Sequence, residues 1–145
     1  MRLSDFESEC DKYQRIIVSQ DPGSKPKHIA ENNDTSEVYQ YRVDGYLIQE
    51  GKRCDYLLLN KDKFSVYYIE LKGSDLETAV EQIETSESEL KRRFQEDLEI
   101  YVKAYYRVIL NKVCTHQLDS NKIKRFKKAH LNRYIFKTIE YRETI

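Results

Sequence analysis

Two apolar runs, 56–59 and 66–69, flank the polar turn Lys61, Asp62 and Lys63, and both draw on Leu, Ile, Val and Tyr. That pattern predicts a β-hairpin. Upstream, 38–43 alternates Val, Tyr, Gln, Tyr, Arg, Val and predicts a strand. Asp44-Gly45 then gives a turn or bulge, 46–49 continues extended, and Glu50-Gly51 turns the chain toward the hairpin. Nearer the N-terminus, 4–13 predicts a short helix capped by Ser4 or Asp5, with Phe6, Cys10 and Tyr13 on one face. The β-branched run at 16–18 predicts a short strand over 15–19, with continuation of the helix as the alternative. Residues 20–36, with DPGSKP followed by ENNDTS, predict a loop.

Downstream of the hairpin, Gly73 releases the strand and Ser74 can cap a helix that carries Asp75 and Glu77 near its positive end. Leu76, Ala79, Val80, Ile83, Glu87, Leu90, Phe94 and Leu98 recur mostly at spacings of three and four. They predict one amphipathic helix to about residue 99, interrupted near 85–88 where the apolar stripe thins. A nearly fully buried strand follows at 103–113. Asp119 or Ser120 then caps a second helix, NKIKRFKKAHL, with Ile123, Phe126 and His130 or Ala129 inward. Residues 134–141 close the chain as a strand. This order predicts an α/β fold: a mixed central sheet flanked by helices, in a single compact domain over 1–145.

Composition narrows the class. Charged residues are 34% and hydrophobic residues 39% of the chain, which fits a polar surface around one core. No apolar run approaches the roughly 20 residues that cross a bilayer, and the acidic start MRLSDFESECD lacks the features of a signal peptide, so the cytoplasm is the expected location. Cys10, Cys54 and Cys114 form no CxxC pair and are expected as buried small hydrophobes. Zero net charge conceals an asymmetry. Residues 105–145 hold ten Lys or Arg against three Asp or Glu, +7, and the remainder carries −7. Residues 75–99 hold nine acidic and three basic side chains, an unsuitable surface for a nucleic-acid backbone.

The chemistry lies at the ends of the hairpin. If Asn60 pairs with Ser65, or equivalently Lys61 with Phe64, Asp55 falls opposite Glu70 on the same face. Lys72 joins that face about 7 Å further along the strand. Two facing carboxylates repel unless a cation sits between them, so the hairpin reads as a divalent-metal site beside a lysine. The plainer account is a salt bridge of Lys72 with Glu70 or Asp55 at a sheet rim. Hard oxygen ligands suit Mg²⁺, and a metal, its bound water and a nearby ammonium together suit phosphodiester hydrolysis.

Asp55, fourteen further residues, then Glu70-Leu71-Lys72 resembles the PD-(D/E)XK nuclease superfamily, whose restriction-endonuclease-like fold also places these groups on a hairpin followed by a helix. The resemblance implies that Asp55 and Glu70 bind Mg²⁺ or Mn²⁺ with the Leu71 backbone carbonyl. Lys72 would orient or help deprotonate the attacking water and stabilise charge on the phosphate. It implies an endonuclease rather than an exonuclease, acting on DNA, with a homodimer as the expected assembly. The alternative is a catalytically inactive nuclease-fold module that binds nucleic acid or a protein partner. Cys54 stands where many members have proline. Glu9 or Glu7 is a candidate auxiliary ligand if the first helix packs on this edge. Gln82 is a candidate site contact, although Ser86 stands where some members carry a tyrosine. Lys124, Arg125, Lys127 and Lys128 are candidate phosphate contacts, with a solvated helix face as the equal alternative. His28, His116 and His130 are expected at the surface or core edge; the twelve tyrosines could supply base-stacking platforms, but Tyr67, Tyr105 and Tyr106 sit in apolar runs and are expected in the core. No Gly-rich phosphate loop or GxSxG elbow is present.

Overall fold

In a computed structural model that describes residues 1–51, 53–71, 73–112 and 117–145, the strands are β1 (Ile16–Gln20), β2 (Lys27–Glu31), β3 (Val38–Arg42), β4 (Tyr56–Asn60), β5 (Ser65–Glu70), β6 (Lys103–Leu110), β7 (Tyr134–Thr138) and β8 (Glu140–Thr144). Helices α1 (Leu76–Arg93) and α2 (Gln95–Leu98) lie between β5 and β6, and α3 (Asn121–Ala129) precedes β7. Five strands form one sheet in chain order, β3-β4-β5-β6-β7. Its first three strands are antiparallel, and β6 and β7 continue parallel to β5.

Every residue of β4 and β5 is buried, because both faces of this sheet are covered. Leu57, Leu59, Val66 and Tyr68 face a core completed by α1, α2 and α3. Tyr56, Leu58, Tyr67 and Ile69 face a second core shared with Ile17 of β1 and Ala30 of β2. That second cover is itself a sheet of order β1-β2-β8, with β2 antiparallel to β1 and parallel to β8. The chain is therefore an α/β domain with two mixed sheets. The expected single sheet flanked by helices is replaced by helices on one face and a small sheet on the other.

Where structure and expectation part, the backbone hydrogen bonds give the reason. Among the described residues the helix expected over 4–13 is only a 3-10 turn, Leu3–Asp5. The next residues bond to the edge of β3: Glu9 N–H donates to the Gln40 carbonyl, Val38 N–H to Lys12, and Gln40 N–H to Ser8 Oγ. Groups spent on a strand edge cannot close a helix. The loop expected over 20–36 contains β2, whose Ala30 pairs with Ile17 in the second core. The extension expected over 46–49 is a turn with one bridge, Asp44 to Ile48. The strand expected over 134–141 divides at Ile139, which adopts φ 70°, and its second half crosses to the small sheet as β8.

The two sheets are joined by a buried polar cluster. His28 of β2 is fully buried, contrary to the surface or core-edge position expected, and its Nε2 lies 2.6 Å from Glu143 Oε2 of β8. Because a carboxylate oxygen only accepts, Nε2 carries the hydrogen. Arg107 of β6 donates to the same carboxylate through Nε at 2.7 Å and Nη2 at 2.9 Å. Burial alone would raise the Glu143 pKa, but the His28 and Arg107 partners hold it below the ordinary carboxylate range.

Candidate active site

The hairpin has the register expected of it. Asn60 pairs with Ser65 and the ladder continues to Tyr56 opposite Ile69. One residue further, Asp55 N–H donates to the Ile69 carbonyl at 2.9 Å and Asp55 O accepts from Val43 N–H at 2.9 Å. There the ladder of β4 and β5 gives way to side-chain bonding. Leu71 N–H donates to Asp55 Oδ2 at 2.8 Å and to Glu70 Oε1 at 3.2 Å. The two carboxylates thus converge on one amide, and each is only 1% exposed. Neither belongs to a solvated rim.

Alternation along the strands puts Asp55 in step with Leu57 and Leu59, and Glu70 in step with Val66 and Tyr68, on the helix-covered face. Helix α1 fixes the end of that face. Its N-cap Asp75 accepts from Thr78 N–H, while Gln117 Oε1 accepts from the Leu76 and Glu77 amides at 2.5 and 3.3 Å. The helix runs unbroken through 85–88, where an interruption was expected, and breaks instead at Phe94, whose φ and ψ are −121° and 40°. Ser86 explains the difference. It occupies the stripe between Ile83 and Leu90, is fully buried, and accepts from Cys54 N–H at 2.8 Å. A serine that is polar in sequence thereby serves as an inward residue, and it anchors the backbone immediately before Asp55. Its signal in the sequence is position: it stands three after Ile83 and four before Leu90.

Cys54 and Cys10 are buried free thiols, as expected; Cys114 lies outside the described residues. Burial pushes the Cys54 thiol far up, and the Glu70 and Asp55 charges push the same way, so it is an inert neighbour of the carboxylates. Lys72 and His116 also lie outside the described residues. Gln82 sits at a cleft of about 230 Å³ with Arg53, Gly73 and Asp75, beyond the ends of β4 and β5. Asp55 and Glu70 do not line it.

The remaining candidates are separate. With the first helix absent, Glu9 lies in a stretch that borders β3, where its carboxylate is 3.8 Å from Arg42 and 44% exposed. Lys124, Arg125 and Lys128 are exposed on α3, while Lys127 is half-buried with its ammonium over the Tyr134 and Phe136 rings. The basic helix lies against the acidic one, with Lys122 Nζ 2.6 Å from Glu81 Oε2. The inward residues of α3 are Ile123 and Phe126; Ala129 is exposed and His130 half-buried.

Among the described residues no group of three or more His, Cys, Asp or Glu side chains could hold a metal. Among them, too, no helix is long and apolar enough to cross a membrane. Comparison with protein-family models, with curated proteins and with solved structures gives no match for this chain.

Proposed function

We propose that this protein is a metal-dependent nuclease that hydrolyses phosphodiester bonds in DNA, with Asp55, Glu70 and Lys72 at its centre. The supporting observation is the convergence of two almost fully buried carboxylates on the Leu71 amide. Like charges so placed repel, and a divalent cation relieves the repulsion. The donor set fits a hard ion: Asp55 and Glu70 would hold Mg²⁺ or Mn²⁺, with the Leu71 carbonyl as a further oxygen. When bound, such an ion acidifies a coordinated water and offsets charge at phosphorus.

The chain's own residues supply the rest. Leu71 N–H fixes one oxygen of each carboxylate, and the Ser86 bond to Cys54 holds the strand that carries Asp55. Lys72, two positions after Glu70, supplies an ammonium that orients the attacking water or stabilises the charge building on the phosphate. Gln82 and Arg53, at the neighbouring cleft, offer polar contacts to a strand. Lys124, Arg125 and Lys128 offer exposed positive charge to phosphates. A hairpin with this acidic pair followed directly by a helix is also what supports reading the domain as restriction-endonuclease-like. In a homodimer, two such sites would face two strands and cut internally.

The test is a gel of purified protein with and without Mn²⁺ on linear, circular, branched and single-stranded DNA, beside Lys72→Ala. Cleavage is expected only with the metal and only in the wild type. No cleavage of any substrate, or equal cleavage by both proteins, would overturn the proposal. DNA binding without cleavage would favour an inactive nuclease-fold module.

A further inference from the structure

A sheet edge presents backbone donors and acceptors, and this fold closes two of its edges while leaving β7 open. The central sheet ends at β3 and β7, the small sheet at β1 and β8. The outward groups of Val38 and Gln40 on β3 are taken by Lys12, Glu9 and Ser8. On β1 the outward carbonyls of Ile16 and Val18 accept from the side-chain amides of Gln14 and Gln40 at 2.8 and 2.9 Å. Strand β7 has no such cover. Tyr106 N–H donates to the Arg133 carbonyl and Ile139 N–H to the Leu110 carbonyl, so the parallel ladder to β6 uses residues 133, 135, 137 and 139. The N–H and C=O groups of Tyr134, Phe136 and Thr138 therefore point away from the sheet, and among the described residues no turn, loop or side chain bonds to them.

The side chains of this edge are sorted by face. Tyr134 and Phe136 pack on the helix side, half-buried, and the period of two sends Arg133 and Lys137 to the other side. Both cations are exposed and in no ion pair among the described residues, and Lys127 of α3 adds a third, its ammonium 6.0 and 5.9 Å from the Tyr134 and Phe136 ring centroids. No acid stands in β7. The charges of β8 differ, since Glu140 lies 3.6 Å from Lys27 and Arg142 lies 3.5 Å from Glu31. This excess of positive charge selects the occupant. Pairing β7 with a second β7 would bring two copies of the basic α3 together, and like charges so apposed repel. A nucleic-acid strand matches the cations, but its phosphate oxygens only accept hydrogen bonds and leave the outward carbonyls unserved. An extended peptide serves donors and acceptors alike, and carboxylates on one of its faces meet Arg133 and Lys137. A lysine on an edge deters apolar and basic strands, not an acidic one.

We infer that β7 is a docking edge for an extended segment of a partner protein that alternates acidic and apolar residues. The segment extends the central sheet by one strand, with its carboxylates beside Arg133 and Lys137 and its apolar side chains beside Tyr134 and Phe136. This rests on no assumption about cleavage.

The test uses a fluorescently labelled peptide of alternating Glu and Val, about eight residues long as strands commonly are, beside a peptide of alternating Lys and Val. Anisotropy titrations of the full chain should show the Glu peptide binding and the Lys peptide binding about tenfold more weakly or not at all. Lys137→Glu should weaken the Glu peptide about fivefold and strengthen the Lys peptide. A second measurement needs no variant: amide hydrogen exchange by NMR should slow about tenfold at Tyr134, Phe136 and Thr138 when the Glu peptide is bound, as new backbone hydrogen bonds require. Adhesion through the lysine side chains alone would leave those amides unchanged. The inference is wrong if the Glu peptide does not bind, if both peptides bind the wild type equally, or if binding leaves the three amides unprotected. It is equally wrong if a short single-stranded DNA, added in EDTA, protects them in place of the peptide.

Discussion

At the scale of single residues, the decisive arrangement is one amide shared between two acids. Leu71 N–H lies 2.8 Å from Asp55 and 3.2 Å from Glu70, which brings two buried carboxylates of like charge together. A cation bound there should therefore stabilise the fold by mass action. At Mn²⁺ concentrations about a hundredfold above the dissociation constant, the wild type should gain about 2.7 kcal/mol, read as a higher melting temperature. Asp55→Asn and Glu70→Gln should each lose that gain, and an equal rise in all three proteins would place the metal elsewhere. The facing of Asp55 and Glu70 was legible in the sequence because a short turn between two apolar runs fixes an antiparallel register by arithmetic.

At the scale of elements, the hairpin and α1 work as one unit. Ser86 fills a place in the helix's inward stripe and accepts the Cys54 amide, which links the helix to the strand end that carries Asp55. Replacing it with Ala leaves a buried N–H without an acceptor. Ser86→Ala should cost about 1–3 kcal/mol in chemical denaturation, and an unchanged midpoint would show that this bond does not anchor the hairpin. The strong periods, in β3, the hairpin, α1, β6 and α3, could be read directly from the sequence. Strand β2 could not. KHIAE holds two apolar residues between turn-forming stretches, and only pairing with both β1 and β8 makes it a strand. The N-terminal segment had helical spacing, but the open edge of β3 captured its backbone.

At the scale of the whole molecule, the small sheet closes the face of the central sheet that the helices leave uncovered. The Glu143, His28 and Arg107 cluster ties the two together across β8, β2 and β6. That cluster sets an expected response to acid. Glu143 has a lowered pKa in the folded protein, so its stabilisation is fully present above the ordinary value of 4.5 and is lost as pH falls through the lower folded value. Glu143→Gln should destabilise the protein near neutrality by about 3–5 kcal/mol, because Arg107 loses its buried partner. It should also flatten the fall in stability below pH 4.5 that the wild type shows in acid titrations of the melt. An unaltered acid profile in the variant would assign that fall to other carboxylates. None of this clasp was visible in the sequence, where His28, Arg107 and Glu143 are separated by whole elements.

The charge asymmetry resolves at this scale too, since basic α3 lies beside acidic α1 and is partly matched by it through Lys122 and Glu81. What remains distinctive is the acidic pair. Its claim is tested most directly by Mn²⁺-dependent cleavage of plasmid DNA by the wild type and by Asp55→Asn, with near-ultraviolet circular dichroism showing that both are folded. Nicked and linear products are expected from the wild type alone. Cleavage by Asp55→Asn at the wild-type rate would contradict it.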